Sequence, residues 1–421
     1  MPFKPVRSTS AMYASPEALY RDLPRSPGAK PGLLLHQGDL LRMYAKDHAD
    51  VSDLALELPT GTGKTIPALV ICEWWRRQRR ARVVYACPTD QLARQVAVTA
   101  GEEGIPAVVL TGPHGDWAVT DLARYDAGEA IMLTTYSTVF NSSPKLGATP
   151  ALMVFDDAHN GEQYVADQYC LRVNRSGEEY ADRRTYLALL DVLAPGLDAL
   201  TLKRLSNRSA EPGHARTVHL VVPAQHEGMP ERLADFLADL PAPWAFRYSM
   251  ISRVLGSCLV YLSHTGIQIR PFIPPTSDNL LFTDAQQRLY LSATLGDAGD
   301  LERSFGRPRI KRLALPTTSP EPRSGRRFLI FPDLLPGGVT DKITQKITAM
   351  TGKALVLAPD TATAKTTAEL IAPPGWPVLS KNDVKHGMQP FAALDVLGHE
   401  LGDSRLMGGL PPRAEWGRLV L

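Results

Sequence analysis

The stretch Leu54-Ala55-Leu56-Glu57-Leu58-Pro59-Thr60-Gly61-Thr62-Gly63-Lys64-Thr65 decides the fold of this chain. Alternating apolar residues in its first half predict a short β-strand, and the apolar run from Ile66 to Trp75 predicts a helix. The two glycines between strand and helix allow backbone N–H groups to approach phosphates closely at the helix N-terminus. The segment therefore predicts a nucleoside triphosphate site.

Two side chains at the end of this loop have chemistry that suits a bound triphosphate. Lys64 would place its charge between the β- and γ-phosphates, and Thr65 would offer a hydroxyl to Mg²⁺. The strict motif begins with glycine, whereas this chain has Leu58 there; the Gly-x-Gly-Lys-Thr core is intact. We expect the loop Pro59, Thr60, Gly61, Thr62, Gly63, Lys64 and Thr65 to bind the phosphates of a nucleoside triphosphate.

The composition is that of a large globular protein. The 421 residues have room for two or three domains, and 46 basic residues nearly balance 44 acidic ones. Such a balance neither indicates nor excludes a nucleic-acid partner, since a local basic strip is enough for phosphate contacts.

No apolar run approaches the roughly 18 residues that cross a bilayer, so we expect no membrane segment. The four widely spaced cysteines, without a Cys-x-x-Cys pair, indicate a reduced, cytoplasmic address and no metal cluster.

Short apolar strands alternate with helical segments, and this alternation predicts an α/β fold with a parallel sheet. We expect a loose lead-in over residues 1–30 and a first lobe over 31–160 and 281–314. A largely helical insertion would occupy residues 161–280, with extended segments at 218–222 and 267–272, and a partial second α/β lobe would occupy residues 315–421. In the second lobe the predicted strands are 328–331 and 354–357, and the predicted helices 340–351 and 361–371.

Polar residues follow two further predicted strands. The strand Leu152–Phe155 ends in Asp156-Asp157-Ala158-His159, and the strand Arg288–Leu291 ends in Ser292-Ala293-Thr294. Carboxyl ends of parallel strands face the crevice in which open α/β sheets bind ligands. These residues are therefore predicted to lie beside the phosphate loop. The alternative is that Asp156 and Asp157 merely cap a helix.

The ordered motifs resemble those of superfamily 2 helicases and translocases of the DEAD/DEAH-like group. The resemblance covers residues 33–310 and is carried by Leu-Pro-Thr-Gly-Thr-Gly-Lys-Thr (58–65), Cys-Pro-Thr-Asp-Gln-Leu-Ala-Arg-Gln (87–95), Thr-Thr-Tyr (134–136), Asp-Asp-Ala-His (156–159) and Leu-Ser-Ala-Thr-Leu (291–295). It implies two RecA-like P-loop lobes, ATP and Mg²⁺ as cofactors, and DNA or RNA as partner.

The resemblance also implies individual roles. Asp156 would hold Mg²⁺, and Asp157, where the family normally has Glu, would polarise the attacking water; its shorter side chain makes the geometry of that water different. His159 would couple the ATP site to Ser292 and Thr294. Gln37 would read adenine with its amide, the alternative being an exposed glutamine at a helix end.

The same comparison predicts a nucleic-acid side. The sugar–phosphate backbone would contact Thr89, Arg94, Gln95, Thr134, Thr135 and Tyr136, without sequence preference. The alternative is that residues 91–102 form a plain amphipathic surface helix. The basic run from Trp74 to Arg82 also invites a nucleic-acid interpretation, but its position favours a solvated helix C-terminus.

Two family features are missing from the sequence. DNA-repair helicases with a comparable insertion carry an iron–sulfur cluster on four cysteines, whereas the corresponding interval has only Cys72 and Cys87, so we expect no cluster. No Gln-x-x-Gly-Arg-x-x-Arg-like arginine-finger motif occurs in residues 315–421; Arg405 and Arg413 lie in unlike surroundings. The latter absence suggests a truncated or frameshifted second lobe.

Three functions fit these observations. The first is an ATP-dependent, nucleic-acid-stimulated helicase or translocase, in which the insertion offers a surface for a protein partner. The second is a nucleotide-binding regulatory or interaction protein with little hydrolysis, which the missing arginine motif favours. The third is the translocase subunit of a restriction or defence system, which would use the same motor; no nuclease signature supports it.

Overall fold

The computed structural model describes residues 13–58, 62–142, 146–176, 181–209, 217–294, 299–314, 341–350, 361–372 and 378–379. The chain divides into two compact units, Met1–Pro320 and Glu321–Leu421. In the second unit the structure describes two helices, α14 (Asp341–Met350) and α15 (Thr361–Ile371), close to where helices were predicted. The predicted strands 328–331 and 354–357, Arg405 and Arg413 lie outside the described residues.

A seven-stranded parallel sheet forms the centre of the first unit, as the alternation of strands and helices predicted. Its order is β11-β1-β10-β5-β2-β4-β3. The strands are β1 (Asp53–Glu57), β2 (Val83–Cys87), β3 (Ala107–Val109), β4 (Ile131–Thr135), β5 (Leu152–Phe155), β10 (Gln287–Ser292) and β11 (Lys311–Leu313). Most of their residues are apolar and buried, which is typical of a parallel sheet covered on both faces.

Helices cover the two faces of this sheet and form two separate apolar cores. One core joins β1, β2 and β10 to the first four helices, and the other joins the opposite face to the later helices and to the insertion. The helices of the lobe are α1 (Pro16–Arg21), α2 (Leu35–Asp47), α3 (Thr65–Arg79), α4 (Asp90–Glu102), α5 (Val119–Asp126), α6 (Tyr136–Val139), α7 (Gly161–Gln168), α12 (Leu280–Thr283) and α13 (Asp300–Phe305). Both faces of the sheet are therefore shielded from water by packed apolar side chains.

The strand order brings three motif-bearing strand ends together. Strand β10 lies between β1 and β5, with Glu57 opposite Ser292 and Tyr290 opposite Phe155. The backbone N–H of Leu58 donates to the Ser292 carbonyl at 2.9 Å, which continues the ladder into the phosphate loop. The phosphate loop and the acidic pair are thus separated by one strand, and that strand carries Ser292.

The predicted loose lead-in is wrong for its described part. Ser15 caps α1, its hydroxyl accepting from the Ala18 N–H at 3.2 Å. Leu19, Tyr20 and Leu23 are buried in the core that α2 and α3 share. Leu19 and Tyr20 belong to α1 and Leu23 follows its end, so burial of these three apolar side chains holds the segment against the lobe.

The insertion contains a second sheet besides its helices. Four antiparallel strands run in the order β6-β9-β8-β7 and comprise β6 (Leu171–Asn174), β7 (His219–Val221), β8 (Cys258–Leu262) and β9 (Gly266–Pro271). Helices α8 (Arg183–Leu193), α9 (Ala199–Ser206), α10 (Met229–Ala238) and α11 (Trp244–Ile251) complete it. Strands β7 and β9 match the extended segments predicted from sequence, whereas β6 and β8 add two strands that the prediction did not contain.

Candidate nucleotide and nucleic-acid site

Lys64 stands where β1 has passed through the phosphate loop into α3. The helix begins at Thr65, so the first backbone N–H groups of α3 point into the crevice beside the Lys64 side chain. Thr62 is buried, Thr65 is half-buried, and Gly63 has a positive φ of 75° that glycine adopts without strain. Pro59, Thr60 and Gly61 lie outside the described residues.

The acidic pair lies beside Lys64. The Lys64 ammonium is ion-paired with the Asp157 carboxylate and lies 3.6 Å from the nearest Asp156 oxygen. All three side chains are largely shielded from water, with 18% of Lys64, 7% of Asp156 and 26% of Asp157 exposed. The strand ends therefore bring together a cation for phosphate and two carboxylates for a metal and a water.

Asp157 has an unusual backbone conformation. Its φ of 50° and ψ of 47° lie in the left-handed region, which aspartate tolerates better than most residues. The turn is closed by the Asp157 N–H, which donates to the Asp156 carboxylate at 3.0 Å, and by the Asn160 N–H, which donates to the Asp157 carbonyl at 2.9 Å. Left-handed residues of this kind concentrate at functional sites, where they aim a side chain.

Burial shifts the ionisation of two groups in the site. Burial raises the pKa of Asp156 above its ordinary value, although the Lys64 charge opposes the shift. Burial lowers the pKa of His159, and the nearby positive charge of Lys64 lowers it further. At neutral pH His159 is therefore neutral and can donate with one ring nitrogen while accepting with the other.

His159 connects the acidic turn to the end of β10. Its Nδ1 lies 3.1 Å from the buried hydroxyl of Ser292. That hydroxyl also donates to the Thr294 carbonyl and accepts from the Thr294 N–H at 3.1 Å. The structure thus joins the three residues predicted to couple nucleotide state to the rest of the lobe.

The Gln37 amide contacts the phosphate loop. Its Nε2 donates to the carbonyls of Thr62 and Gly63, both at 3.0 Å, and its Oε1 accepts from the Leu34 N–H at 2.9 Å. The residue is buried, so the alternative of an exposed glutamine is wrong, whereas the role in reading adenine stays a prediction. As placed here Gln37 braces the phosphate loop, because both ends of its amide are occupied by backbone groups.

Two of the predicted nucleic-acid contacts are buried and directed inward. Thr134 donates its hydroxyl to the Leu110 carbonyl at 2.6 Å, and Tyr136 donates to the Asp156 carbonyl at 2.9 Å. Neither side chain reaches solvent, so the prediction that these two side chains contact a nucleic-acid strand is wrong for this structure. This inward orientation could not be predicted from the sequence. All three residues of Thr-Thr-Tyr carry a hydroxyl group, so no alternation of apolar and polar residues distinguishes buried from exposed side chains.

The other predicted contacts remain on the surface of the lobe. Thr89 caps α4 by accepting from the Leu92 N–H at 3.3 Å, and exposed Arg94 pairs with Asp90 at 2.9 Å. Gln95 is half-buried on the same helix, and half-buried Thr135 lies 2.9 Å from the Ser137 hydroxyl. These four residues follow β2 and β4, so they share the carboxyl edge of the sheet with the site.

The basic run from Trp74 to Arg82 serves the helix end. Arg76 and Arg77 donate to the fully buried carboxylate of Glu73 at 2.7 and 2.6 Å, and Arg76 also donates to the Gly128 carbonyl at 2.9 Å. Arg79 packs its guanidinium over Trp75, 4.1 Å from the ring centroid. These contacts agree with a helix C-terminus and give the arginines structural partners.

Fold and site together define an α/β lobe of the P-loop type. A parallel sheet holds a lysine at a helix N-terminus and an aspartate pair at the end of another strand, and these meet in one crevice. Among the described residues, no helix is long and apolar enough to span a bilayer.

Comparison with known proteins shows what part of this chain is similar to. Residues 42–186 match the DEAD/DEAH box helicase family. The chain is 30% identical over 168 residues to the ATP-dependent DNA helicase mph1 of Aspergillus terreus, which covers 38% of this chain and 15% of that protein. It is 37% identical over 110 residues to its counterpart in Pyricularia oryzae, which covers 24% and 10%.

Solved structures give a looser likeness. Xpd4 of S. tokodaii superposes with a TM-score of 0.45 at 15% identity and covers 86% of this chain and 78% of that one. The UvsW helicase of bacteriophage T4 gives a TM-score of 0.33 at 10% identity, over 69% and 62%.

The predicted resemblance to superfamily 2, DEAD/DEAH-like helicases is confirmed over residues 42–186 by the family match. This chain spans about 15% of the length of the fungal helicases it matches. The match contains the phosphate loop, both aspartates and the Thr-Thr-Tyr segment, and Ser292 and Thr294 lie beyond it.

Proposed function

We propose that this protein is an ATPase of the helicase or translocase type, whose hydrolysis of ATP is stimulated by nucleic acid. The observation that carries the proposal is the meeting of Lys64 with Asp156 and Asp157 in a shielded crevice. A lysine at a helix N-terminus beside two carboxylates is the set of groups that phosphoryl transfer to water uses.

The donor set suits Mg²⁺ held jointly by protein and nucleotide. The described residues contain no group of three or more His, Cys, Asp or Glu that would enclose a metal ion by itself. Mg²⁺ usually keeps several waters and takes one or two carboxylates together with substrate phosphates. Asp156 and the Thr65 hydroxyl would provide the protein's share, and Mg²⁺ when bound would neutralise charge on the β- and γ-phosphates.

Each residue of the crevice then has a defined task. Lys64 would exchange its ion pair with Asp157 for a phosphate oxygen, since a triphosphate offers it more negative charge. Asp157, released from Lys64, would accept a hydrogen bond from the attacking water and orient it. His159 would hold the Asp157 turn against Ser292, so that the orientation of the acid depends on the state of β10.

We propose DNA as the polymer, because the fungal relatives are DNA helicases by name and the match includes the Thr-Thr-Tyr segment. Thr89, Arg94, Gln95 and Thr135 remain the proposed contacts. Binding through backbone phosphates should weaken as salt rises. A cytoplasmic location is also proposed, supported by four cysteines that are all unpaired and buried.

The test is ATP hydrolysis with and without single- and double-stranded DNA and RNA. We expect stimulation by DNA, loss of turnover by about 10²-fold or more in Lys64→Ala, and near-normal ATP binding with impaired turnover in Asp157→Asn. Full turnover in Lys64→Ala would contradict the proposal. ATP binding by wild type without hydrolysis under any condition would instead favour the regulatory, nucleotide-binding alternative, which the missing arginine motif supports.

A further inference from the structure

The Tyr136 side chain reaches from the end of β4 to the acidic turn after β5. Its hydroxyl donates to the Asp156 carbonyl at 2.9 Å. That carbonyl belongs to the peptide group joining Asp156 to Asp157, so the bond acts on the peptide plane whose rotation sets φ of Asp157. The φ of 50° at Asp157 is thus held from one side by Tyr136.

The hydroxyl cannot move away easily, because the ring beneath it is packed. Only 1% of Tyr136 is exposed. Its ring centroid lies 5.5 Å from that of Phe155, 5.9 Å from Tyr164 and 6.1 Å from Phe305. Burial also raises the pKa of Tyr136 well above its ordinary value, so the hydroxyl keeps its proton at any pH at which the protein works.

We propose that Tyr136 is a positioning residue for ATP hydrolysis: its hydroxyl fixes the Asp156–Asp157 peptide and thereby aims the Asp157 carboxylate. The inference rests on the proposed function of the site, which it deepens by naming what orients the water-polarising acid. It also explains why this tyrosine is directed inward, where a contact with nucleic acid had been predicted.

The same residue links the acid to the surface on which nucleic acid is proposed to bind. Tyr136 begins α6 directly after Thr135, whose hydroxyl lies 2.9 Å from that of Ser137 and 3.3 Å from that of Thr138. A nucleic-acid strand that contacts Thr135 therefore acts on the residue directly before Tyr136, and Tyr136 holds the acidic turn. Tyr136 thus connects these two surfaces directly, so it should also transmit stimulation.

The test compares Tyr136→Phe with Tyr186→Phe. Tyr186 is a matched control, since it is fully buried and its hydroxyl donates to a backbone carbonyl, that of Ser263, at the same 2.9 Å, but in the insertion. Both variants keep the ring and lose one hydrogen bond, so both should show a similar small decrease in Tm. We measure kcat and KM for ATP with and without single-stranded DNA.

For Tyr136→Phe we expect kcat to fall about 10-fold or more with KM within about 3-fold, and the DNA stimulation ratio to fall as well. For Tyr186→Phe all three quantities should stay within about 2-fold of wild type. Hydrogen exchange at the amides of residues 156–160 supplies a readout that needs no turnover. Exchange there should accelerate in Tyr136→Phe and remain unchanged in Tyr186→Phe.

The outcomes separate this inference from the proposed function. If Tyr136→Phe matches Tyr186→Phe in kcat and in exchange at 156–160, Tyr136 does not position the acid, whatever the ATPase activity of the wild type. If wild type fails to hydrolyse ATP, the proposed function fails, and the exchange measurement alone decides whether Tyr136 holds the turn. If hydrogen exchange at residues 156–160 is then unchanged in Tyr136→Phe, the inference that Tyr136 holds the turn is overturned too.

Discussion

Gly63 has two separate reasons to be glycine. Its φ is 75°, and a Cβ added there would lie 2.7 Å from the Nε2 of Gln37, the side chain that braces the phosphate loop. A methyl group would therefore strain the backbone and push away the amide that the loop carbonyls need.

The prediction at this position is that Gly63→Ala destabilises the protein by about 2–4 kcal/mol and weakens ATP binding. Gly112→Ala is the matched control, because Gly112 has a φ of 72° with no heavy atom within 4 Å of an added Cβ. It should show only the backbone cost of about 1 kcal/mol. Urea unfolding and binding of an ATP analogue check both variants; equal losses would mean that Gln37 plays no part.

Asp156 illustrates a cost that the site imposes on the fold. Because burial raises its pKa, the ionised carboxylate is less favourable in the folded protein than in the unfolded chain. The stability that the protonated Asp156 carboxyl contributes is fully present below the pKa of Asp156 in the unfolded chain. It is lost as pH rises through the pKa of Asp156 in the folded protein. At neutral pH the protein therefore carries a charge that weakens it.

Asp156→Asn should accordingly raise Tm by roughly 1–3 °C at pH 7 while removing Mg²⁺-dependent ATP binding. The gain in Tm should shrink as pH falls through the folded pKa of Asp156, where the wild-type carboxyl is neutral too. Asp157→Asn is the control, since its side chain is more exposed and should gain less. Thermal denaturation at several pH values checks this; a variant less stable than wild type at pH 7 would contradict it.

Among the elements, β1 and β10 are tied together by a buried polar group at the end opposite the site. The Asp53 carboxylate accepts from Arg288 at 2.7 and 3.1 Å, from the Tyr290 hydroxyl at 2.8 Å and from Arg307 at 3.0 Å. Burial works against the charge of Asp53, but the hydrogen bonds and charge of Arg288 outweigh it and leave the pKa of Asp53 lowered. This cluster fixes the register on which the meeting of strand ends depends.

Asp53→Asn is predicted to cost about 3–5 kcal/mol, because it leaves the buried Arg288 guanidinium without its counter-charge. Since the pKa of Asp53 is lowered, its contribution is present above the unfolded pKa and is lost as pH falls through the folded value. The difference between wild type and variant should therefore narrow in acid. Chemical denaturation at pH 7 and at about pH 2.5, which is below the ordinary pKa of 3.8, measures it. Asp121→Asn, whose partner Arg124 is 3.8 Å away on the surface, is expected to cost less than about 0.5 kcal/mol.

The elements also show how far sequence could carry prediction. Strands β1, β2, β4, β5 and β10 were predictable because each is centred on a short apolar run that leads into polar, proline or glycine residues. Strand β6 was missed because the alternation in Leu-Arg-Val-Asn covers only 4 residues, and β8 because Cys-Leu-Val-Tyr-Leu resembles a buried helix segment. The contacts of Gln37 and Tyr136 are tertiary, so no local pattern reveals which backbone groups they meet.

For the molecule as a whole, the insertion is continuous with the first lobe. The core on one face of the parallel sheet includes Phe155 and Tyr290 of the lobe together with Leu189, Val260 and Ile269 of the insertion. The sequence predicted an insertion between the Asp-Asp-Ala-His and Ser-Ala-Thr segments. It could not show the shared core, because an apolar pattern indicates that a residue is buried but not which residues it contacts. The lobe and insertion should consequently fold as one unit.

A chain ending at Pro320 is therefore predicted to fold cooperatively and to bind an ATP analogue, since it keeps both cores, Lys64 and the acidic pair. A second chain, in which residues 171–270 are replaced by a short Gly/Ser linker, is predicted to aggregate, because the lobe's half of the shared core would be exposed to water. Calorimetry and analogue binding distinguish the two, with Lys64→Ala in the shorter chain as the binding control. A soluble, nucleotide-binding lobe without residues 171–270 would show that the insertion is an independent domain, and a chain ending at Pro320 that stays unfolded would show that the first unit needs the rest of the protein.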